Sequence, residues 1–246
     1  MKLKSIALVL GLTASASVFA SGHGAHWGYS GHEGPEHWGD LSHEYATCKT
    51  GHTQSPIDIK PSADVDLEAI AFDYKVSPMS ILNNGHTVQV NFAKGSTMKV
   101  EGKTYNLLQV HFHTPSENHL MGKSSPMEAH FVHSTDDGQL AVVAVLIEEG
   151  KTDSFIEKIV KAMPKTPMPA ATVEGVSLSA MDYLPADKSY YRFAGSLTTP
   201  PCSEGVSWFM MKNPAHASKA QIAAIHAIIG NNNRPVMEVN GREIKE

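Results

Sequence analysis

The sequence predicts a single, sheet-dominated α+β domain, and three observations predict it. Strand-length segments that alternate or run apolar outnumber helical ones, glycine-bearing turn signals separate several of them, and only two stretches carry a helical apolar stripe. At 246 residues the chain is long enough for one well-buried core. No repeat or linker divides it. A formal charge of −5 and the lack of any Lys/Arg run argue against a nucleic-acid partner.

Residues 1–20 read as a signal peptide, leaving 21–246 as the domain. Lys2 and Lys4 precede an apolar run from Ile6 to Leu12, and Val18 and Ala20 stand where a signal peptidase reads. A membrane anchor needs about twenty uninterrupted apolar residues, and this run is far shorter. The expected product is periplasmic or secreted, with no membrane segment in its mature form. From Ser21 to Tyr45 the chain is irregular, rich in Gly, His and Trp, and Trp27 and Trp38 are its expected pins. The irregular spacing of His23, His26, His32, His37 and His43 favours scattered surface and packing roles over a second metal site.

Strands are expected at Thr87–Phe92, Thr97–Glu101, Tyr105–Thr114, Met127–Ser134, Leu140–Glu148 and Val206–Lys212. Asn83-Asn84-Gly85 and Asp136-Asp137-Gly138 are turn signals, the second closing the hairpin that follows His130. Ser154–Met163 reads as a helix with Phe155, Ile156, Ile159, Val160 and Met163 on one face. Ser218–Ile229 opens with a Ser218-x-x-Gln221 capping box and stops at Gly230. Both helices are expected to cover the sheet. Cys48 and Cys202 are the whole cysteine complement, and export favours their pairing over two free buried thiols. Closing so long a loop stabilises by at most about 4–5 kcal/mol in the chain-entropy account.

His111, His113 and His130 are the candidate metal ligands. His111 and His113 stand two apart, so one strand points both imidazoles to one face. His130, on the next antiparallel strand, is placed to arrive opposite them. Three neutral imidazoles leave a tetrahedral zinc one open position, the arrangement of a catalytic site. Such a zinc lowers the pKa of bound water from 15.7 to about 7, giving hydroxide at neutral pH. Gln109 and Glu128 lie two before His111 and His130, where each could hold its neighbour's remaining N–H. Glu128 reads equally well as a solvent-facing hairpin carboxylate. Gly195–Cys202 is a Pro-rich loop with two threonine hydroxyls. Beside the metal, a threonine that donates to a carboxylate must accept from the hydroxide, which orients its lone pair.

Eight blocks in one order carry a resemblance. They are His26-Trp27-Gly28-Tyr29, Gly34-Pro35-Glu36-His37-Trp38, Gln54-Ser55-Pro56-Ile57-Asp58-Ile59 and Asn83-Asn84-Gly85-His86. Then come Gln109-Val110-His111-Phe112-His113, Ser116-Glu117-Asn118, Glu128-Ala129-His130 and Ser196-Leu197-Thr198-Thr199-Pro200-Pro201. The chain resembles the α-class carbonic anhydrases, in particular the exported bacterial members, from His26 to its C-terminus.

The resemblance implies a large, mostly antiparallel central sheet with peripheral helices. It implies a zinc enzyme that hydrates carbon dioxide reversibly to bicarbonate and a proton, with Zn2+ on His111, His113 and His130. Thr198 matches the gatekeeping threonine and Glu117 the carboxylate that takes its proton. Thr199 matches a substrate-site threonine, and Val132, Val142, Leu197, Val206 and Trp208 match the apolar wall that holds carbon dioxide. His86 matches the proton shuttle, consistent with an imidazole's usual pKa near 6.5. Tyr29, Asn84 and Gln89 match residues that order relaying waters, although Asn is commoner than Gln at the last. Bacterial relatives suggest a homodimer.

Asn118, Ser125 and Phe193 depart from the family's commoner residues, and none of the three is an expected ligand. Two other readings compete. His111-x-His113-x-x-x-Glu117 resembles the first metal motif of cupins, which would make Glu117 a ligand, but no Gly stands shortly before His130 to complete the second motif. A non-catalytic member of the same fold would typically lack one of the histidines.

Overall fold

The computed structural model describes residues 25–246; the expected signal peptide and His23 lie outside the described residues. The strands are β1 (Asp58–Ile59), β2 (Ala71–Asp73), β3 (Ser77–Asn83), β4 (Val88–Asn91) and β5 (Thr97–Val100). Next come β6 (Lys103–His113), β7 (His119–Leu120), β8 (Met127–Ser134) and β9 (Leu140–Glu149). The last four are β10 (Met168–Leu178), β11 (Tyr190–Ser196), β12 (Glu204–Met211) and β13 (Ala215–Ala217). The helices are α1 (Trp38–Leu41), α2 (Thr47–Thr50), α3 (Ser154–Ala162) and α4 (Lys219–Ile229). Among the described residues no helix is long and apolar enough to cross a membrane.

Eleven strands form one sheet, with main path β10-β3-β4-β6-β8-β9-β12-β11. Its pairings are antiparallel except where β9 meets β12 and β13. The sheet is therefore large and mostly antiparallel, as expected. Both faces are buried in the middle. On one face Met127, Ala129 and Phe131 of β8 join Val143 and Val145 of β9 and Phe209 of β12 in the main core. On the other, Val142, Ala144 and Leu146 of β9 join Val206 and Trp208 of β12 in a second cluster. The alternation follows from the two-residue period of a strand. Each fully buried phenylalanine in the core stabilises by about 1.5–3 kcal/mol over its exposed state.

The strand β6 does not keep one alternation along its length. Tyr105 and Leu107 enter the main core, then Val110 and Phe112 do. Between them Leu107 pairs with His133 while Gln109 pairs with Val132, so β6 carries one extra residue there. This β-bulge leaves Leu108 44% exposed and turns Gln109, His111 and His113 to the face opposite the core. Bulges commonly re-aim side chains beside functional sites.

The helices α3 and α4 lie against the main core through Phe155, Ile156, Ile159, Ile222 and Ile225. The side chain of Asp153 caps α3, and Ser218 with Gln221 forms the full capping box of α4. The chain leaves α4 at Gly230, whose φ of 61° suits glycine. Near the N-terminus the expected irregular stretch contains the single-turn helices α1 and α2. Trp38 pins it, fully buried, with its indole N–H shared by the carbonyls of Gly28 and Glu33.

The longer strands β3, β10 and β11 were not expected, nor were the two- and three-residue strands β1, β2, β7 and β13. The inward positions of β3 include Ser77 and Asn83, which blunt the apolar pattern. β10 is a largely exposed edge strand whose register shifts twice.

Candidate metal centre

The register of β6 against β8 builds the centre. His111 stands directly opposite His130, and His113 opposite Glu128, so all three imidazoles share one face. Their ring centroids lie 4.6–5.2 Å apart, and one nitrogen from each falls within 4.8 Å of the others. Among the described residues this is the group able to hold a metal. Of the N-terminal histidines among the described residues, His26, His32, His37 and His43, none belongs to such a group.

Each ring is oriented by a bond from its other nitrogen. His111 Nδ1 donates to Gln109 Oε1 at 2.8 Å, His113 Nδ1 to the carbonyl of Asn232 at 2.8 Å, and His130 Nε2 to Glu128 Oε1 at 2.9 Å. Nε2 of His111 and His113 and Nδ1 of His130 are left for the shared space. Burial lowers the pKa of all three, so the imidazoles are neutral, the form that binds a metal.

Glu128 is fully buried, not a solvent-facing carboxylate. Its oxygens accept from the main-chain N–H groups of Glu117 and Asn118 at 2.8 and 2.9 Å and from the Asn118 amide at 2.7 Å. Burial raises its pKa against these bonds. Asn118 thus supports an acid that supports a ligand.

Glu117 Oε1 accepts the main-chain N–H of Arg234 at 2.9 Å. Oε2 lies 3.4 Å from His113 Nε2 and 3.9 Å from His130 Nδ1, and it has no hydrogen-bond partner. Burial pushes this carboxyl up to about 8, with the Arg234 N–H and then the Thr198 hydroxyl pulling against it. Thr198 is therefore near, though outside hydrogen-bond geometry. The buried Nε2 of His113 and Oε2 of Glu117 are both orphaned and face one another across the same space. Unpaired buried polar atoms of this kind are costly, and three neutral nitrogens beside them suit zinc. The residues fit the metal. Glu117 is not one of the converging atoms, as the cupin reading required.

A cleft of about 140 Å³ opens onto His111 and His113, and Tyr29, Asn84, His86, Gln89 and Thr199 line it. The half-buried His86 ring stacks on Trp27, centroids 3.8 Å apart at 7°. Its pKa is lowered, chiefly by burial and also by His26. Gln89 donates to Asn91 at 2.7 Å. Burial raises the Tyr29 phenol, and the Glu117 carboxylate adds to this. Val142, Val206 and Trp208 form the second cluster, with Val132 and Leu197 packed on it. The Trp208 ring meets His130 edge-on at 5.0 Å, which places this apolar surface beside the centre. Phe193 stacks behind it on Trp208 at 5.8 Å.

The threonine loop is tied down from outside. Cys48 and Cys202 form a disulfide, and the Cys202 N–H donates to the Thr199 carbonyl at 2.8 Å. Gln54 donates to the Cys202 carbonyl, and the buried Arg234 guanidinium donates to Gln54, Ser55 and Cys48. Sequence reasoning did not find Asn232 or Arg234. They lie in a polar stretch after a helix stop, more than a hundred residues from the ligands, where nothing in their spacing distinguishes them from an ordinary loop.

A mostly antiparallel sheet with three neutral, strand-borne imidazoles converging beside a half-apolar cleft defines a metalloenzyme of the zinc type. Residues 33–246 match the family model described as eukaryotic-type carbonic anhydrase. A carbonic anhydrase of Neisseria gonorrhoeae is 47% identical over 242 residues, covering 97% of this chain and 94% of that protein. The α-carbonic anhydrase of Thermovibrio ammonificans, solved with the inhibitor sulfanilamide, superposes with a TM-score of 0.87 at 43% identity, covering 91% of this chain and 100% of that one. That of Photobacterium profundum gives 0.85 at 46%, covering 90% of this chain and 100% of that one. The chain belongs to the eukaryotic-type, or α, carbonic anhydrase family, zinc enzymes whose general activity is carbon dioxide hydration.

Proposed function

We propose that this enzyme holds zinc on His111, His113 and His130 and interconverts carbon dioxide with bicarbonate and a proton. The carrying observation is that each imidazole spends one nitrogen on a fixed partner and turns the other toward a common point. Bound there, the metal supplies a Lewis-acidic charge that brings a water's pKa toward 7.

The chain's own residues do the rest. A small turn of its hydroxyl lets Thr198 donate to Glu117 Oε2, the oxygen left without a partner. Its oxygen can then only accept, so the atom bound beside it must carry a hydrogen. Val132, Val142, Leu197, Val206 and Trp208 present the uncharged substrate with an apolar wall, and Thr199 faces the product from the cleft side. His86 takes the proton released in each turnover and passes it to solvent through waters held by Tyr29, Asn84 and Gln89. Gln109 and Glu128 fix the rings of His111 and His130. The apolar run at residues 6–12, the disulfide and the bacterial relatives support export to the periplasm or beyond.

Stopped-flow hydration of carbon dioxide tests the reading on purified mature protein. Activity is expected with one zinc per chain, to vanish on removal by chelator and to return with Zn2+. Full activity in the verified zinc-free protein sinks it.

A further inference from the structure

We propose that the side-chain amide of Asn232 is a positioning element for proton transfer, holding the turn that carries His86 against the strand end that carries His113. Asn232 is fully buried, and its side chain uses every polar atom. Its Oδ1 accepts the N–H of Thr114 at 2.9 Å, and its Nδ2 donates to the carbonyls of Phe112 at 2.9 Å and His86 at 3.0 Å. Separately, its main-chain carbonyl accepts Nδ1–H of His113. One residue thus touches the backbone of the relay histidine and a metal ligand at once.

The turn has few other ties to the centre. Asn84 Oδ1 accepts the N–H groups of His86 and Thr87, which shapes the turn without anchoring it. The β4–β6 ladder begins at Gln89, paired with His111, three residues beyond His86. Between them only Thr87 reaches across, its hydroxyl donating to the Phe112 carbonyl at 2.6 Å. Removing the Asn232 amide leaves the His86 carbonyl without that bond and frees the turn to shift along the cleft wall. Proton relay needs each donor within hydrogen-bond reach of an acceptor or of one bridging water, and misplacement by about 1 Å can cost a hundredfold in rate. Conversion of substrate at the apolar wall does not involve His86.

The inference rests on His86 being the relay, and the test separates the two. Asn232→Ala, His86→Ala and the double variant are compared in weak buffer, with zinc retention against chelator measured alongside. Asn232→Ala is expected to lower kcat about three- to tenfold while kcat/KM changes by less than about twofold. Imidazole should restore kcat, zinc should be held as in the native protein, and the double variant should be no slower than His86→Ala. Equal falls in kcat and kcat/KM, or weakened zinc, would assign Asn232 a merely structural role and overturn the inference. If His86→Ala slows kcat and Asn232→Ala does not, the inference alone falls. An unchanged kcat in His86→Ala removes the relay and the inference together. Should the alanine variant not fold, Asn232→Ser, whose hydroxyl is too short to span from Thr114 to the His86 carbonyl, carries the same comparison.

Discussion

On opposite faces of β8 stand two buried imidazoles, His130 and His133, each with one ring nitrogen held and the other open. His130 Nε2 is held by Glu128 at 2.9 Å. His133 Nε2 is held by the Tyr74 hydroxyl at 2.6 Å, and its Nδ1 lies near the main chain of Phe131 and Ala141 in hydrogen-bond geometry with neither. Burial lowers the pKa of both. What differs is the company: His130 faces His111 and His113, whereas His133 pairs with Leu107 and Ala141 on the core side of the sheet. An open nitrogen on a buried imidazole is thus no ligand by itself. A metal site requires that several such nitrogens meet.

The strongest way to break this contrast is to remove one nitrogen from each face. His111→Ala should abolish zinc retention and hydration together, a loss well beyond the roughly 10–100-fold in affinity or activity typical of an outer partner. Metal analysis and stopped-flow rates on one preparation check this; activity in the zinc-free variant would dissolve the distinction.

A smaller effect concerns acid. The folded pKa of His133 is lowered from 6.5 to about 3, by burial. Above pH 6.5 the imidazole is neutral in folded and unfolded chains alike and contributes nothing to the pH dependence. As pH falls from 6.5 toward 3, the unfolded chain binds a proton that the folded one refuses, so stability drops by up to about 1.4 kcal/mol per pH unit. The double variant His133→Leu with Tyr74→Phe removes both polar partners, which costs little when the shapes match. Urea unfolding of zinc-free proteins at several pH values should give the variant a flatter acid limb. Parallel limbs would mean that His133 takes up a proton while folded.

The ligand set was legible because its information is local. A strand's period of two places His111 and His113 on one face, and an adjacent antiparallel strand brings up His130. The pairs Gln109 with His111 and Glu128 with His130 follow from the same period. The hairpin through Asp137-Gly138, both long helices and the capping box and glycine stop of α4 were legible for the same reason, whereas the Asp153 cap of α3 was not read. Asn232 and Arg234 were not, because their contacts depend on where the chain returns after α4, and no short-range pattern encodes that return. His133 shows the converse failure. Its ring looks like its neighbour's in the sequence. Although β8's period of two sends it to the face opposite His130, no local pattern shows that this face is the closed core and not a second cleft.

That bulge has a consequence for what the chain tolerates over time. The side chain of Leu108 points mostly outward, so exchanging it for another residue changes little. Losing the position altogether would slide every following residue of the strand by half a period, delivering Val110 and Phe112 to the cleft and both imidazoles to the oily interior. Spelling is free at this site while length is not, and lineages descended from this chain should vary the letter and keep the count.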